Sequence, residues 1–359
     1  MIQRHGPLLR YRIMKRIPSD SLRAYGESVL RSCGVPPDDA KAVVDCLLYA
    51  NLSGVDSHGI VRLPHYVTRL TNGSIKTTPK VTFNRPRPAI LHVDGDDGLG
   101  HAVTRRGVEE AIPICSEQGS VTIVVGNSSH FGMAGWYLRD ITAAGFVGMV
   151  TTHTDVRIVP AGARKPFAGT NPIAFGFPTT DEPFVLDFAT TKVSFGKIAL
   201  ARAEDRSIPD DWGFDANGDP TTDPNALEGM QPIADYKGAG LAMVIDLLSS
   251  MFSGMPYGPH INRMYEELEA PRKLGHFITM WDIGALTPIE SLRERMKNYV
   301  HELHALPRRD PDQPIYHPGE REAIRRAERS RHGIPLEPGL VSELVELGHR
   351  LGVTTRLFA

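Results

Sequence analysis

Four stretches gather side chains able to do chemistry. The first is VDSHGIVRLPHYVTRL, Val55–Leu70, which places Ser57, His58, Arg62 and Tyr66 within ten residues. On a helix opening near Ile60, Arg62 and Tyr66 stand four apart on one face. A guanidinium fork matches the two oxygens of a substrate carboxylate, and a histidine in a Ser-His-Gly turn can orient a substrate or pass a proton. A plainer role fits the same residues: Asp56 and Ser57 cap a helix and the rest solvates its surface. The second stretch, VVGNSSHFGMAGWY (Val124–Tyr137), runs from an apolar strand through a Gly-bounded polar turn into a helix. Asn127 and His130 sit in that turn. A histidine there can titrate near neutrality, as a general acid–base does, or merely cap the helix at Gly132.

The third stretch joins GTNPIAFGFP (Gly169–Pro178) to FVLDFATTKVSFGKI (Phe184–Ile198). Asn171 precedes a proline and is held extended. Asp187 ends an apolar strand, where a carboxylate needs a partner. A histidine would serve, and Asp187 is then an orienting group for His130; backbone N–H groups at a helix or turn cap would serve as well. Thr190, Thr191, Lys192 and Lys197 offer donors to a ribose or phosphate, with Lys192 and Lys197 as candidates for a 2′-phosphate. The fourth stretch is ADYKGAGLAMVIDLLS, Ala234–Ser249. Gly238 and Gly240 at a helix start leave backbone N–H groups open to a phosphate, and close helix packing explains them equally well.

These stretches need elements to hold them. The spacing predicts helices over Ser19–Ser32 (capped by Ser19 or Ser21), Asp38–Leu52, Ile60–Asn72, Ala102–Gln118, Gly132–Ala144 and Gly238–Phe252. Strands are predicted at Val81–Phe83, Ile90–Val93, Val121–Asn127, Phe146–Thr151 and Phe184–Phe188. Asp205–Leu227 reads as a long surface loop. From Ser291 onward the chain is helical and charged, with a solvated helix over Glu320–His332 and a last one near Val341–Leu351. The class is α+β: a mixed sheet domain over 77–290, packed with a helical domain built from 15–76 and 291–359. Residues 1–14 read as a disordered extension, basic but without the apolar core of a secretion signal.

Composition narrows the partners. The chain has 359 residues, 40 Lys+Arg against 42 Asp+Glu, and a formal charge of −2. That balance argues against a nucleic-acid wrapper, and no apolar run reaches the length of a membrane span. Cys33, Cys46 and Cys115 lie far apart, as reduced thiols of a cytoplasmic protein would. Fourteen histidines include no HxH or HExxH spacing, so no metal is expected. The G-x-G-x-x-G turn of a Rossmann site is missing too: Gly238-Ala239-Gly240 is followed by Met243 where a third glycine would stand.

Taken together, the motifs resemble the malate/L-lactate dehydrogenase family, which also holds sulfolactate, ureidoglycolate and diketogulonate oxidoreductases and cyclic imino-acid reductases. GVDSHGIVRLPHYV, VDGDDGLGHAV, VVGNSSHFGMAGWY, GTNPIAFGFP, VLDFATTKVSFGKI, IPDDWGFDANGDPTTDP and YKGAGLAMVIDLLS match in order across Gly54–Ser253, and HPGE at His317–Glu320 continues the match. The resemblance implies a non-Rossmann fold in which NAD or NADP binds a mixed, largely antiparallel sheet. It implies a homodimer with active sites near the interface, and hydride transfer between nicotinamide and C2 of a small 2-hydroxy or 2-oxo acid. His130 matches the family's acid–base, and His58 a histidine given that role in some members. Ser57 and Arg62 match substrate contacts, Arg62 on the carboxylate, and Tyr66 lies in the same motif. Phe188, Ala189, Thr190, Gly238, Ala239, Pro318 and Glu320 match cofactor contacts.

Two departures stand out. Ile233-Ala234-Asp235 replaces an expected Gly-Gly turn, and His153 stands where members often have Asn. The rival readings are reduction of a cyclic imino acid on the same fold, and a catalytically silent cofactor-binding relative, which the Asp235 charge motivates.

Overall fold

A computed structural model describes residues 14–358. Apart from Met14, the expected extension lies outside the described residues. Helix α1 (Ser19–Ser32) begins where the sequence predicts but without the serine cap: Pro18 occupies the cap position and no side chain bonds there. Proline at the entry of α2 (Pro37–Leu52) presets φ for its first turn. The third predicted helix is split. Ile60–Arg62 is a 3-10 turn, and α3 runs over Leu63–Thr71. Pro64 explains the break, since it has no N–H to give the Ile60 carbonyl that an α-helix opening at Ile60 would present.

The chain ends join this helical layer. Strand β1 (Lys15–Ile17) pairs antiparallel with β11 (Ile334–Leu336), and α10 (Pro338–Arg350) follows. Leu22, Val29, Leu47, Leu63, Ile334 and Leu344 share one buried core. Helix α9 (Glu320–His332), exposed as its charge pattern predicts, packs on α2. Helix α8 (Ile289–Ala305) buries no residue completely.

The main sheet has seven strands in the order β2 (Thr82–Arg87), β3 (Ile90–Asp94), β4 (Ser120–Ser128), β10 (Leu274–Asp282), β5 (Phe146–Thr152), β6 (Ile173–Phe177), β7 (Phe184–Phe188). Only β3 and β4 run parallel. This is the mixed, largely antiparallel arrangement expected, and it lacks the parallel winding of a Rossmann sheet. Helices α4 (Gly100–Gln118) and α5 (Gly135–Ala143) cover one face, with Val125, Val150, Ile278 and Met280 pointing to them. Helix α7 (Tyr236–Ser250) packs on β5 and β10 from the other side. Gly275 permits that approach, because a Cβ there would lie 2.0 Å from the Ser249 carbonyl oxygen.

Strands β6 and β10 are not among the predicted elements. β10 is central and buried along most of its length, so both faces are covered and period-2 alternation is lost. The predicted loop over 205–227 holds one side of a two-residue ladder, β8 (Gly213–Phe214) with β9 (Gly229–Met230), after a short helix α6 (Phe195–Ala203). Helix α5 starts three residues later than predicted, which frees His130–Ala134 as a turn.

Candidate active site

A cavity of about 510 Å³ opens between the two layers. The turn after β4 contributes His130 and Phe131, the turn after α2 contributes Ser57 and His58, and β7 contributes Val185–Phe188, with Ala189 just beyond it. His317, Pro318 and Gly319, just before α9, close another side. Two distant turns thus meet at one point. The His58 and His130 rings stack with centroids 5.8 Å apart and planes 28° apart.

The histidine geometry is directional. Tyr66 Oη lies 2.7 Å from His130 Nδ1 and 3.3 Å from His101 Nε2. His101 Nδ1 is buried with no partner. An orphaned N–H costs more than an orphaned lone pair, so the favoured arrangement has His101 Nε2–H donating to Tyr66 and Tyr66 O–H donating to His130 Nδ1. That fixes the ring and leaves His130 Nε2 for the cavity. The chain stops at His101, so Tyr66 orients the imidazole and offers no proton exit.

Electrostatics keep these rings neutral. Burial, then Arg62 and the neighbouring histidines, pushes His130 well below the usual imidazole range. Burial and Arg62 bring His58 down to about 4, and burial takes His101 to about 3. In the arrangement above the neutral ring carries its proton on Nε2; it accepts a proton at Nε2 once the Tyr66 hydroxyl turns and His130 Nδ1–H donates to Oη instead. An anionic substrate beside it would favour the imidazolium that donates one.

Arg62 Nε donates to the Ser57 carbonyl at 2.6 Å, and Nη1 donates to Tyr265 Oη. Two sides of the guanidinium are therefore fixed, next to a residue lining the cavity. Tyr265 arrives on the segment 263–270, which Arg69 organises. Arg69 is 1% exposed, and its guanidinium donates to the carbonyls of Met264 at 2.9 Å, Ala270 at 3.1 Å and Glu267 at 3.3 Å. Tyr265, Arg69 and His101 are partners that sequence reasoning did not single out. His101 lay inside a quoted motif, but its partner is 35 positions away.

Other expectations need correction. Asp187 lines the cavity but does not orient His130; its Oδ2 accepts the Gly135 N–H at 2.7 Å and caps α5, while Tyr66 takes the orienting role. Burial pushes the Asp187 carboxyl up to about 6, against the pull of that N–H. Phe188, Ala189 and Pro318 line the cavity, whereas Thr190, Gly238, Ala239 and Glu320 do not. Thr190 Oγ1 donates to the Thr170 carbonyl at 2.9 Å. Gly238 serves packing: a Cβ there would fall 1.8 Å from the Ile233 carbonyl oxygen. Glu320 Oε2 accepts from His317 N at 3.0 Å and pairs with His304. Lys192 pairs with Asp211, and Lys197 is exposed without an ion pair among the described residues.

The cavity suits a nicotinamide nucleotide. Val185, Leu186, Phe188 and Pro318 give it apolar wall, His130 faces it, and Arg321 and Arg326 add cations for phosphates. Among the described residues no group of three or more His, Cys, Asp or Glu is placed to hold a metal.

Residues 17–345 match the malate/L-lactate dehydrogenase family. The chain belongs to that family. It is 32% identical over 333 residues to the ureidoglycolate dehydrogenase (NAD(+)) of Escherichia coli, covering 92% of this chain and 95% of the relative. It is 35% identical over 278 residues to the (2R)-3-sulfolactate dehydrogenase (NADP(+)) of Chromohalobacter salexigens, covering 75% and 83%. The solved malate dehydrogenase of Pyrococcus horikoshii superposes with a TM-score of 0.87 at 30% identity, covering 98% and 99%.

In this malate/L-lactate dehydrogenase family member the two departures have structural consequences. Ala234 and Asp235 both adopt positive φ, 45° and 52°, where the resemblance leads one to expect glycines. His153 is fully buried: Nε2 accepts the Gly275 N–H at 2.8 Å, so its proton sits on Nδ1, 3.1 Å from Asp246 Oδ1.

Proposed function

We propose that this protein moves a hydride between NAD(P)(H) and C2 of a small 2-hydroxy or 2-oxo acid. The observation that carries the reading is His130, which lines the cavity and is held at Nδ1 by Tyr66, with the Arg62 guanidinium behind the Ser57–His58 wall close enough to depress its pKa. A bound nicotinamide supplies the hydride donor or acceptor. In reduction the His130 imidazolium gives its Nε2 proton to the carbonyl oxygen, leaving the neutral ring with its proton on Nδ1, donated to Tyr66 Oη; in oxidation that tautomer takes the hydroxyl proton at Nε2. Arg62 holds the carboxylate, so C2 is presented in one orientation. Ser57 and His58 form the adjoining wall.

The test is direct. Purified protein is mixed with NADH or NADPH and, in parallel, a panel of 2-oxo acids that includes pyruvate and oxaloacetate and a cyclic imino acid, and the absorbance of the reduced nicotinamide is followed. Turnover of at least one acid is expected. No turnover with any acid sinks the reading, and turnover of a cyclic imine alone hands the site to the imino-acid alternative.

The working unit we propose is a homodimer that buries α7. This helix is apolar nearly all round, yet Val244 (51%), Leu247 (49%) and Met251 (51%) are exposed along one face, with Gly240 open beside them. A helix of that kind is normally covered by another body. Sedimentation velocity on wild type and Leu247→Glu should show a dimer and a monomer respectively; a monomeric wild type rules it out. A cytoplasmic setting accords with the buried free thiols of Cys46 and Cys115.

A further inference from the structure

A second hollow of about 500 Å³ adjoins the first and shares Tyr49, Pro183 and Arg326 with it. It lies among α2, the end of α5, the β6–β7 turn, α8 and α9. Its chemistry differs from that of the first cavity because it gathers Arg139, Arg293 and Arg326. The Arg139 and Arg326 guanidiniums lie over the Tyr49 ring, 5.2 and 5.1 Å from its centroid. These contacts hold both cations at the junction of the two hollows.

The charges are unevenly matched. Arg326 is satisfied by Glu182 Oε2 at 2.6 Å. Arg139 and Arg293 have no carboxylate partner among the described residues, and Arg293 Nε is a buried donor without an acceptor. The remaining acid, Asp181, is exposed and accepts from Thr180 Oγ1 at 3.2 Å. A buried guanidinium N–H with nothing to donate to is costly, and an anion relieves that cost. The cations expected to meet a 2′-phosphate, Lys192 and Lys197, line neither hollow.

We propose that this hollow receives the 2′-phosphate of NADP(H), so that Arg139 and Arg293 set a preference for NADP(H) over NAD(H). The inference rests on the dinucleotide reading of the first cavity. A molecule with its nicotinamide at His130 runs along β7 toward Pro183 and Arg326, where the two hollows meet. The ligand chemistry is a phosphomonoester, which could equally come from a separate phosphorylated compound, and the experiment separates the two sources.

Calorimetric titration of the full chain, with no substrate present, uses adenosine 2′,5′-bisphosphate, 5′-AMP and inorganic phosphate as probes. The bisphosphate should bind about tenfold or more tightly than 5′-AMP, as charge-assisted hydrogen bonds from two arginines allow. Arg139→Ala and Arg293→Gln should each pull that ratio toward one and leave 5′-AMP affinity unchanged. Equal binding of the two nucleotides by wild type overturns the proposal, as does a ratio that survives both substitutions. Arginine-dependent binding of phosphate without preference for the bisphosphate also overturns it and assigns the hollow to a separate ligand. Because the ratio is read without turnover, a barren 2-oxo acid panel leaves it standing, whereas failure of both nucleotides to bind removes the dinucleotide reading itself.

Discussion

His130 and Arg62 do different work, and kinetics can tell them apart. A group that transfers the proton acts in the transition state, so His130→Ala should lower kcat by about 10²–10⁴-fold with KM little changed. Arg62 acts earlier, on the carboxylate. Lysine keeps the charge but loses the fork and the fixed contacts to the Ser57 carbonyl and Tyr265. Arg62→Lys should therefore raise KM by roughly 10–100-fold, the range for a charge-assisted hydrogen bond. Steady-state kinetics on the best acid of the panel checks both, and a His130→Ala enzyme with near wild-type kcat would remove the acid–base role. Ser57, His58, Arg62 and Tyr66 stood out as candidates because four polar side chains fall within ten residues and inside a family motif, although the continuous helix expected from Ile60 is split before Leu63. Tyr265 did not, because its role comes from a loop folded back over some 200 positions and held by carbonyl contacts to Arg69, which leave no pattern in the sequence.

At the level of elements, the turn before α7 carries a measurable cost. Asp235 has φ 52° and ψ −125°, a region that residues with a Cβ rarely occupy, and Ala234 beside it is also left-handed. The turn is imposed because the Ile233 carbonyl must lie close against Gly238 for α7 to start there. Asp235→Gly removes the strain and loses only an exposed bond to Gln231. It should stabilise the fold by about 1–2 kcal/mol, net of the extra freedom of glycine in the unfolded chain. Urea denaturation reads this, and a destabilised variant would mean that the Gln231 bond matters more than the backbone. Elements with their own period, such as α1, α4 and β7, were legible to within a residue or two. β10 escaped because a strand covered on both faces shows no alternation, and because Gly275 and His276 within it are there for α7 and for the Phe131 stack.

Across the whole molecule, the buried histidines link folding to acidity. Burial lowers His58 and His65 to about 4 and His101 to about 3, and also depresses His130, His153 and His276. An unfolded histidine titrates near 6.5, so between that value and the folded ones the unfolded chain binds more protons. Their contribution is complete above about pH 6.5 and is lost as pH falls from there toward the folded values. Asp187 and Asp39 work the other way: burial raises both carboxyls, Asp187 to about 6, so acidification relieves them. Six histidines outweigh two carboxylates, and the urea midpoint should hold steady above about pH 7 and fall between about pH 6.5 and 5. A midpoint that is flat or rising across that window would show that the histidines are not held neutral. His153→Asn sharpens the test, because an amide can still donate to Asp246 but cannot titrate. It should flatten the slope by up to about 1.4 kcal/mol per pH unit, the share of one proton, while lowering the midpoint at every pH, because the shorter amide leaves the buried Gly275 N–H that Nε2 accepts without a partner.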